Sequence, residues 1–440
     1  MNRRILFWAS NMALIATAMS FAIRGDIMTD FESEFVQPYV DEQHESGAAA
    51  ARPQWVNTIL GISEETDLVK QNLGIIAGIA FLSFGLAILF GGPLVDLLGM
   101  GNLLRLAAAC HIGGVLLTIF APSFWVVVFA TFVVGAGNGL VEAVCNPLIA
   151  TLYPEEKTHK LTLFHAWFPG GIVIGGVLAW LLSEGRVVDM SSEVGWKVKM
   201  ALILVPAVVY TFMIIGQKFP PTERVASGVR FSEMFSEALR RPLFYILFVV
   251  MWLTAATELG TGQWIANIYN DVLGGREGIL ALVWGSILMY VLRQFFSKPI
   301  HAFLTPVALM MVTAPIAALG LFLFYYANSP AMFFLAATLV YVGVCFWWPT
   351  MLGITSERCP RTGALGLAII GGVGSFSTSI AGPIIGRIND NFGAARALQI
   401  WAILPVFITV VFVLVYLSDK AKGGYQKERL ESLNKAEAVE

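Results

Sequence analysis

Charge is scarce in this sequence. Only 13% of its 440 residues are Asp, Glu, Lys or Arg, against about a quarter in a soluble chain of ordinary composition. That is too few to coat a solvated surface of this size. Cysteine is scarcer still: Cys110, Cys145, Cys345 and Cys359 lie far apart, in or beside apolar runs. No CxxC or His-rich spacing accompanies them, which argues against a metal centre or a disulfide framework. No GxxxxGK[ST] loop is present to cradle a nucleotide phosphate, which argues against a nucleotide-driven pump. There is no basic stripe for nucleic acid, and the net charge of −2 singles out no partner. No nucleophile–base pair stands out and no cofactor motif is present, so an enzyme is not expected.

What is abundant is apolar. Hydrophobic residues make up 57% of the chain, with a mean hydropathy of +0.72, and they come in long blocks. A block of about 20 is what a helix needs to cross hydrocarbon. The pattern predicts membrane helices at roughly 5–23, 72–93, 102–120, 124–152, 161–182, 198–216, 242–269, 278–296, 304–326, 330–352, 362–386 and 396–417. The eighth runs into Arg293 and the eleventh is rich in glycine. The expected fold is therefore an all-α integral membrane protein with twelve transmembrane helices in two pseudo-symmetric six-helix halves, its surroundings a lipid bilayer.

The polar stretch 217–241, with Pro220-Pro221 and an amphipathic run from Phe231 to Leu239, divides the chain nearly in two. It is expected to be a cytoplasmic linker between an N-terminal half, 1–216, and a C-terminal half, 242–417, with a cytoplasmic tail at 418–440. Most of the 28 lysines and arginines, Arg293 included, then fall on the side of the two termini. The positive-inside rule makes that side cytoplasmic, in the inner membrane of the cell. Arg3, Arg4 and Ala16-Thr17-Ala18 imitate a cleavable signal, but cleavage would leave an odd number of spans. The first outer loop, roughly 24–71, is long and acidic, with Ala48 to Ala51 as a low-complexity patch. It reads as a flexible insertion or a lid.

Ionisable groups inside spans are the informative exceptions, because burying a charge in the bilayer costs several kcal/mol (~2.5–3.5 on insertion scales). Glu142 stands in Gly135-Ala-Gly-Asn138-Gly-Leu-Val-Glu142-Ala-Val-Cys-Asn146-Pro147. Asn138, Glu142 and Asn146 are four apart and form one stripe, drifting about 40° per step. Such a stripe faces protein or water, either as a functional site or as helix-to-helix glue. Gly135, Gly137 and Gly139 let a neighbouring helix approach closely. Asp26 follows the first span and lies within the membrane if that helix continues to about 32. Glu258 precedes Gln263, Trp264 and Asn267 on the seventh helix. Amides beside a flat aromatic suit a sugar, which has hydroxyl edges and an apolar face; a polar packing face is the alternative. His165 opens the fifth helix, where it bonds a solute, receives a proton, or is satisfied locally. Trp347 and Trp348, before Pro349, either line a cavity or belong to an interfacial belt, the reading favoured here.

These motifs resemble the major facilitator superfamily, and within it the fucose–proton symporter-like sugar transporters. The superfamily signature after the second helix, G-x-L-x-D-R-x-G-R-K, is similar to Gly92-Pro-Leu94-Val-Asp96-Leu-Leu-Gly99-Met-Gly. Gly92, Asp96 and Gly99 match as a conformational latch, while all three cations are missing and Arg105 is the nearest substitute. Glu142-Ala-Val-Cys-Asn146-Pro147 resembles E-T-A-A-N-P, and Lys160-Leu-Thr-Leu-Phe-His165 resembles R-L-N-L-A-Q. By that resemblance Glu142 is the proton-coupling acid and His165 replaces a polar substrate contact. Gly25-Asp26-Ile27-Met28 falls where the family has N-D-I-L, making Asp26 a second titrating group. Arg24, a departure from that pattern, is the expected cation beside it. Glu258, Gly262, Trp264 and Ile265 resemble an E-x-x-x-G-x-W-I pattern, and Trp348-Pro349-Thr350 an F-P-T element.

The resemblance implies secondary active transport: proton-coupled symport of a small polar solute, a monosaccharide above all, by alternating access. Asn138, Asn146, Gln263, Trp264 and Asn267 would touch the solute. Sodium in place of the proton is the nearest alternative, since carboxylates and amide carbonyls also suit a hard cation. A non-transporting solute sensor on the same fold is a second one.

Overall fold

A computed structural model describes residues 1–46, 68–183, 185–190, 192–262, 265, 269, 278–428 and 430. Among them, ten helices are long and apolar enough to cross a membrane. Numbering the crossing helices in chain order, these are α1 Arg3–Asp26, α2 Asn72–Leu98, α3 Met100–Ile119, α4 Phe124–Leu152, α5 Lys157–Leu181, α6 Val194–Ile214, α7 Pro242–Gly260, α9 Pro306–Tyr326, α10 Pro330–Arg358 and α12 Ala395–Ala421. The other two are the ones with interrupted patterns. α8 is Gly278–Val291, carried on by a wider π-helical turn at Leu292–Phe296 that holds Arg293. α11 is Gly363–Phe392. The twelve-helix, two-half expectation holds.

Glycines set the spacing inside the N-terminal half. A Cβ on Gly135 would meet Ser83 Oγ at 2.1 Å and Ala80 O at 2.6 Å, and one on Gly139 would meet Phe84 O at 2.3 Å. α4 thus touches α2 backbone to backbone, while Gly137 faces His111 of α3. In lipid, where apolar burial gives helices little reason to associate, such close packing carries the association.

The first outer loop departs from expectation. Helix continues past Asp26 through Met28–Phe31, Glu32–Val36 and Gln37–Glu45; residues 47–67 lie outside the described set. The reason is a buried apolar face, Phe31, Phe35, Val36 and Val40, at helical spacing. Phe31 and Phe35 meet the Trp196 ring edge-on, with centroids 5.5 and 5.8 Å away, each contact worth about 0.5–1.5 kcal/mol beyond area burial. Glu34 accepts a 2.6 Å hydrogen bond from Trp196 Nε1. Of the acidic residues that suggested a loop, Asp41, Glu42 and Glu45 are exposed, while Glu34 is held by the same tryptophan.

At the end of the bundle that carries the termini, the halves are tied together. Thr158 of α5 donates to Glu357 Oε1 of α10 at 2.8 Å, and Tyr425 of the tail donates to Glu357 Oε2 at 2.9 Å. Lys427 stands 3.1 Å from the same carboxylate. Burial, and then the charge of Glu357, pushes the Tyr425 phenol well above its ordinary range, so it serves as a donor. Between α6 and α7, the short helix Glu223–Ala226 adds an ion pair from Glu223 to Lys157.

Candidate solute and proton site

In the N-terminal half the polar stripe on α4 divides into two networks. Asn138 Oδ1 bonds His111 Nε2 at 2.9 Å, and its Nδ2 donates to Ser20 Oγ at 2.9 Å. Tyr210 OH closes the chain on His111 Nδ1 at 3.0 Å. Asn138 therefore links α4 to α1 and α3, and His111 carries the chain on to α6. One turn along, Asn146 Nδ2 donates to Glu142 Oε2 at 2.8 Å, and its Oδ1 bonds His165 Nε2 at 3.0 Å. With the amide oriented this way the imidazole has to be the donor. His165 Nε2 is 3.9 Å from Glu142 Oε2, and both side chains are under 5% exposed. A carboxyl group, an amide and an imidazole thus form one buried relay in which a proton on any member changes what its neighbours must donate.

In the C-terminal half Glu258 sits on the π-helical turn Ala256–Gly260. Its Oε1 lies 3.2 Å from an Arg293 terminal nitrogen. That guanidinium also donates to Cys345 O of α10 and, at 2.9 Å, to His165 O of α5. Arg293 was counted by sequence as a cytoplasmic-side cation; its side chain is only 3% exposed, and Glu258 is what pays for it. Gln263, Trp264 and Asn267 lie outside the described residues. The interfacial reading of Trp347 is corrected: the ring is fully buried and its Nε1 donates to Thr313 Oγ1 at 3.0 Å. Trp348 packs against Gly374 of α11.

The cation beside Asp26 is Lys199 of α6, 2.6 Å away, rather than Arg24. Arg24 instead lies 5.1 Å over the Phe21 ring. The latch is likewise completed from afar. Asp96, with no exposed side-chain surface, pairs at 2.7 Å with Nε of Arg224, and Thr222 donates to its other oxygen. Arg105, the substitute suggested by sequence, is exposed and bonds Asn102. Gly99 turns the chain from α2 into α3 with φ of 81°, a conformation that other residues rarely adopt. Sequence does not single out these cations: Arg293 and Lys199 stand at the edges of apolar runs and Arg224 stands in the polar linker, where a charge looks like any interfacial residue.

The sequence model for the Major Facilitator Superfamily matches residues 45–313, more than half of the chain. A D-xylose transporter of Levilactobacillus brevis is 25% identical over 150 residues, 34% of this chain and 31% of that protein. Monosaccharide-sensing protein 3 of Arabidopsis thaliana is 23% identical over 168 residues, 38% of this chain and 22% of that protein. The match thus spans less than a third of either relative's length. Among solved structures, the E. coli fucose:proton symporter superposes with a TM-score of 0.73 at 16% identity, covering 94% of this chain and 99% of that one. A proton:xylose symporter bound to 6-bromo-6-deoxy-D-glucose gives 0.75 at 13% identity, with 98% of each chain covered. At such identities the likeness is one of fold.

Proposed function

Because the chain belongs to the Major Facilitator Superfamily, we propose that it is a secondary active transporter, carrying a monosaccharide together with a proton by alternating access. One observation carries the reading: Glu142, 4% exposed, is bonded within α4 to an amide rather than to a cation. Reorienting an unpaired carboxylate inside the bilayer costs several kcal/mol (~2.5–3.5 on insertion scales), and a protonated one avoids that cost. Movement of the halves is then tied to the proton. The sugar-transporting names among relatives and structural neighbours support a sugar as the solute.

In this reading Asn146, His165 and Glu258 contact the solute, with Gln263, Trp264 and Asn267 further along the seventh helix. Asn138 braces α4. For Asp26 to take part as a second titrating acid, Lys199 has to release it, which ties that step to movement of α6 against α1. Gly92, Asp96 and Gly99 form the latch. The end bearing both termini faces the cytoplasm across the inner membrane. The halves are 1–216 and 242–417, joined by the linker 217–241 and followed by the tail 418–440.

The test uses proteoliposomes with D-xylose and L-fucose as probes. Glu142→Gln is expected to exchange sugar across the membrane but to lose accumulation driven by an inward proton gradient. Full concentrative uptake by this variant removes Glu142 from the coupling role. Accumulation that follows sodium at fixed pH replaces the proton with that ion.

A further inference from the structure

Around Glu258, among the described residues, the C-terminal half holds buried polar atoms without a hydrogen-bond partner. Its Oε1 is taken by Arg293, but Oε2 is buried without a partner. Thr261 Oγ1, three residues along the same helix, and Tyr341 OH of α10 are buried and unpartnered too. Tyr341 lies within electrostatic reach of Glu258, and its ring is clamped by Gly285 of α8, where a Cβ would stand 2.1 Å from it. The other side of the carboxylate is fixed. Arg293 spends its three nitrogens on Glu258, on Cys345 O and on His165 O.

A buried polar atom left without a partner is costly, and a charged one more so. The chemistry of this set says what would relieve it. A carboxylate oxygen only accepts, while tyrosine and threonine hydroxyls both give and take. The group that fits must donate a hydrogen bond to Oε2 and carry further hydroxyls for its neighbours. A carboxylate or phosphate group offers acceptors and, beside Oε2, meets a like charge.

We infer that Glu258, positioned by Arg293 and within electrostatic reach of Tyr341, is a hydroxyl-binding subsite that selects neutral polyhydroxylated solutes and rejects their acidic or phosphorylated counterparts. This rests on the sugar-transport reading and sharpens it. Glu258 and Tyr341 touch the solute. Arg293 acts through Glu258, and its grip on the His165 backbone joins the subsite to the relay of the other half.

The experiment measures binding to purified full-length protein by thermal shift, with D-xylose, L-fucose and D-glucose, their mono-deoxy analogues and D-glucuronic acid as probes. The wild type is expected to bind at least one neutral aldose, to bind one of its deoxy analogues about 10- to 100-fold more weakly, the range of one charge-assisted hydrogen bond, and to ignore the uronic acid. Glu258→Gln should lose affinity for the aldose by a similar factor. Tyr341→Phe, which leaves the ion pair whole, should lose several-fold and still reject the acid. Arg293→Lys should retain part of the selectivity that Arg293→Gln loses, and Arg293→Gln combined with Glu258→Gln supplies a folded variant without a lone buried charge. Aldose binding within about twofold of wild type in both Glu258→Gln and Tyr341→Phe overturns the subsite alone. A wild type that responds to no neutral aldose overturns the sugar reading and the subsite with it.

Discussion

Glu142 and Glu258 are both buried acids, one in each half, yet they are held in opposite ways. Glu142 has an amide and, beyond it, an imidazole. Glu258 has a guanidinium. Neutral partners tolerate either protonation state by turning an amide or switching a tautomer. A cation at 3.2 Å favours the carboxylate and leaves little freedom. The pair teaches that burial alone does not make an acid a proton carrier; the kind of neighbour decides. On the proposed reading the acid with neutral partners carries the proton, and the one beside the guanidinium binds.

The largest effect should come from removing the cation. Arg293→Gln strands a buried carboxylate and is expected to cost about 3–5 kcal/mol of stability, whereas Glu142→Gln loses at most a hydrogen bond of about 1 kcal/mol. Thermal unfolding in detergent reads both, and equal costs would erase the contrast between the halves. Next in size, Asn146→Leu cuts Glu142 from His165 while leaving the Glu258 pair whole. Proton-driven accumulation should drop about tenfold, the scale of one buried hydrogen bond; unchanged accumulation would show the relay to be bystanding glue.

A smaller change is expected at the latch, which serves both halves alike. Asp96→Asn weakens the hold of Arg224, so a cysteine placed at Ala364 should label several-fold faster from the termini-bearing side. Loss of transport without faster labelling would assign Asp96 to folding instead. A pH-dependent effect forms the background against which the acids must be compared. Burial, then His159 and Lys427, pushes His301 from 6.5 down to about 4. Between those values the unfolded chain binds a proton that the native ring refuses, so stability falls as pH drops through that window, and above it the ring contributes nothing. His301→Gln should flatten that part of the profile in a melting series from pH 7 to pH 4.

Legibility in the sequence followed distance along the chain. Glu142 and Asn146 are four residues apart, and their bond could be read from helical spacing. Glu258 and Arg293 are 35 apart on separate helices, and Asp96 and Arg224 are 128 apart; only packing brings them together. The twelve spans were legible because hydrocarbon thickness dictates their length. The helix beyond Asp26 was not, because Asp30, Glu32 and Glu34, interleaved with the apolar residues, obscured the Phe31–Phe35 spacing.

Gly92 carries a consequence of another kind. It faces the opposite half, where a Cβ would stand 2.2 Å from that of Ala368 and 2.9 Å from Ala364 O. The seam between the two halves is closed there to less than the width of a methyl group. An alanine at this position would act as a shim, holding the seam ajar while leaving every polar group of the machine in place.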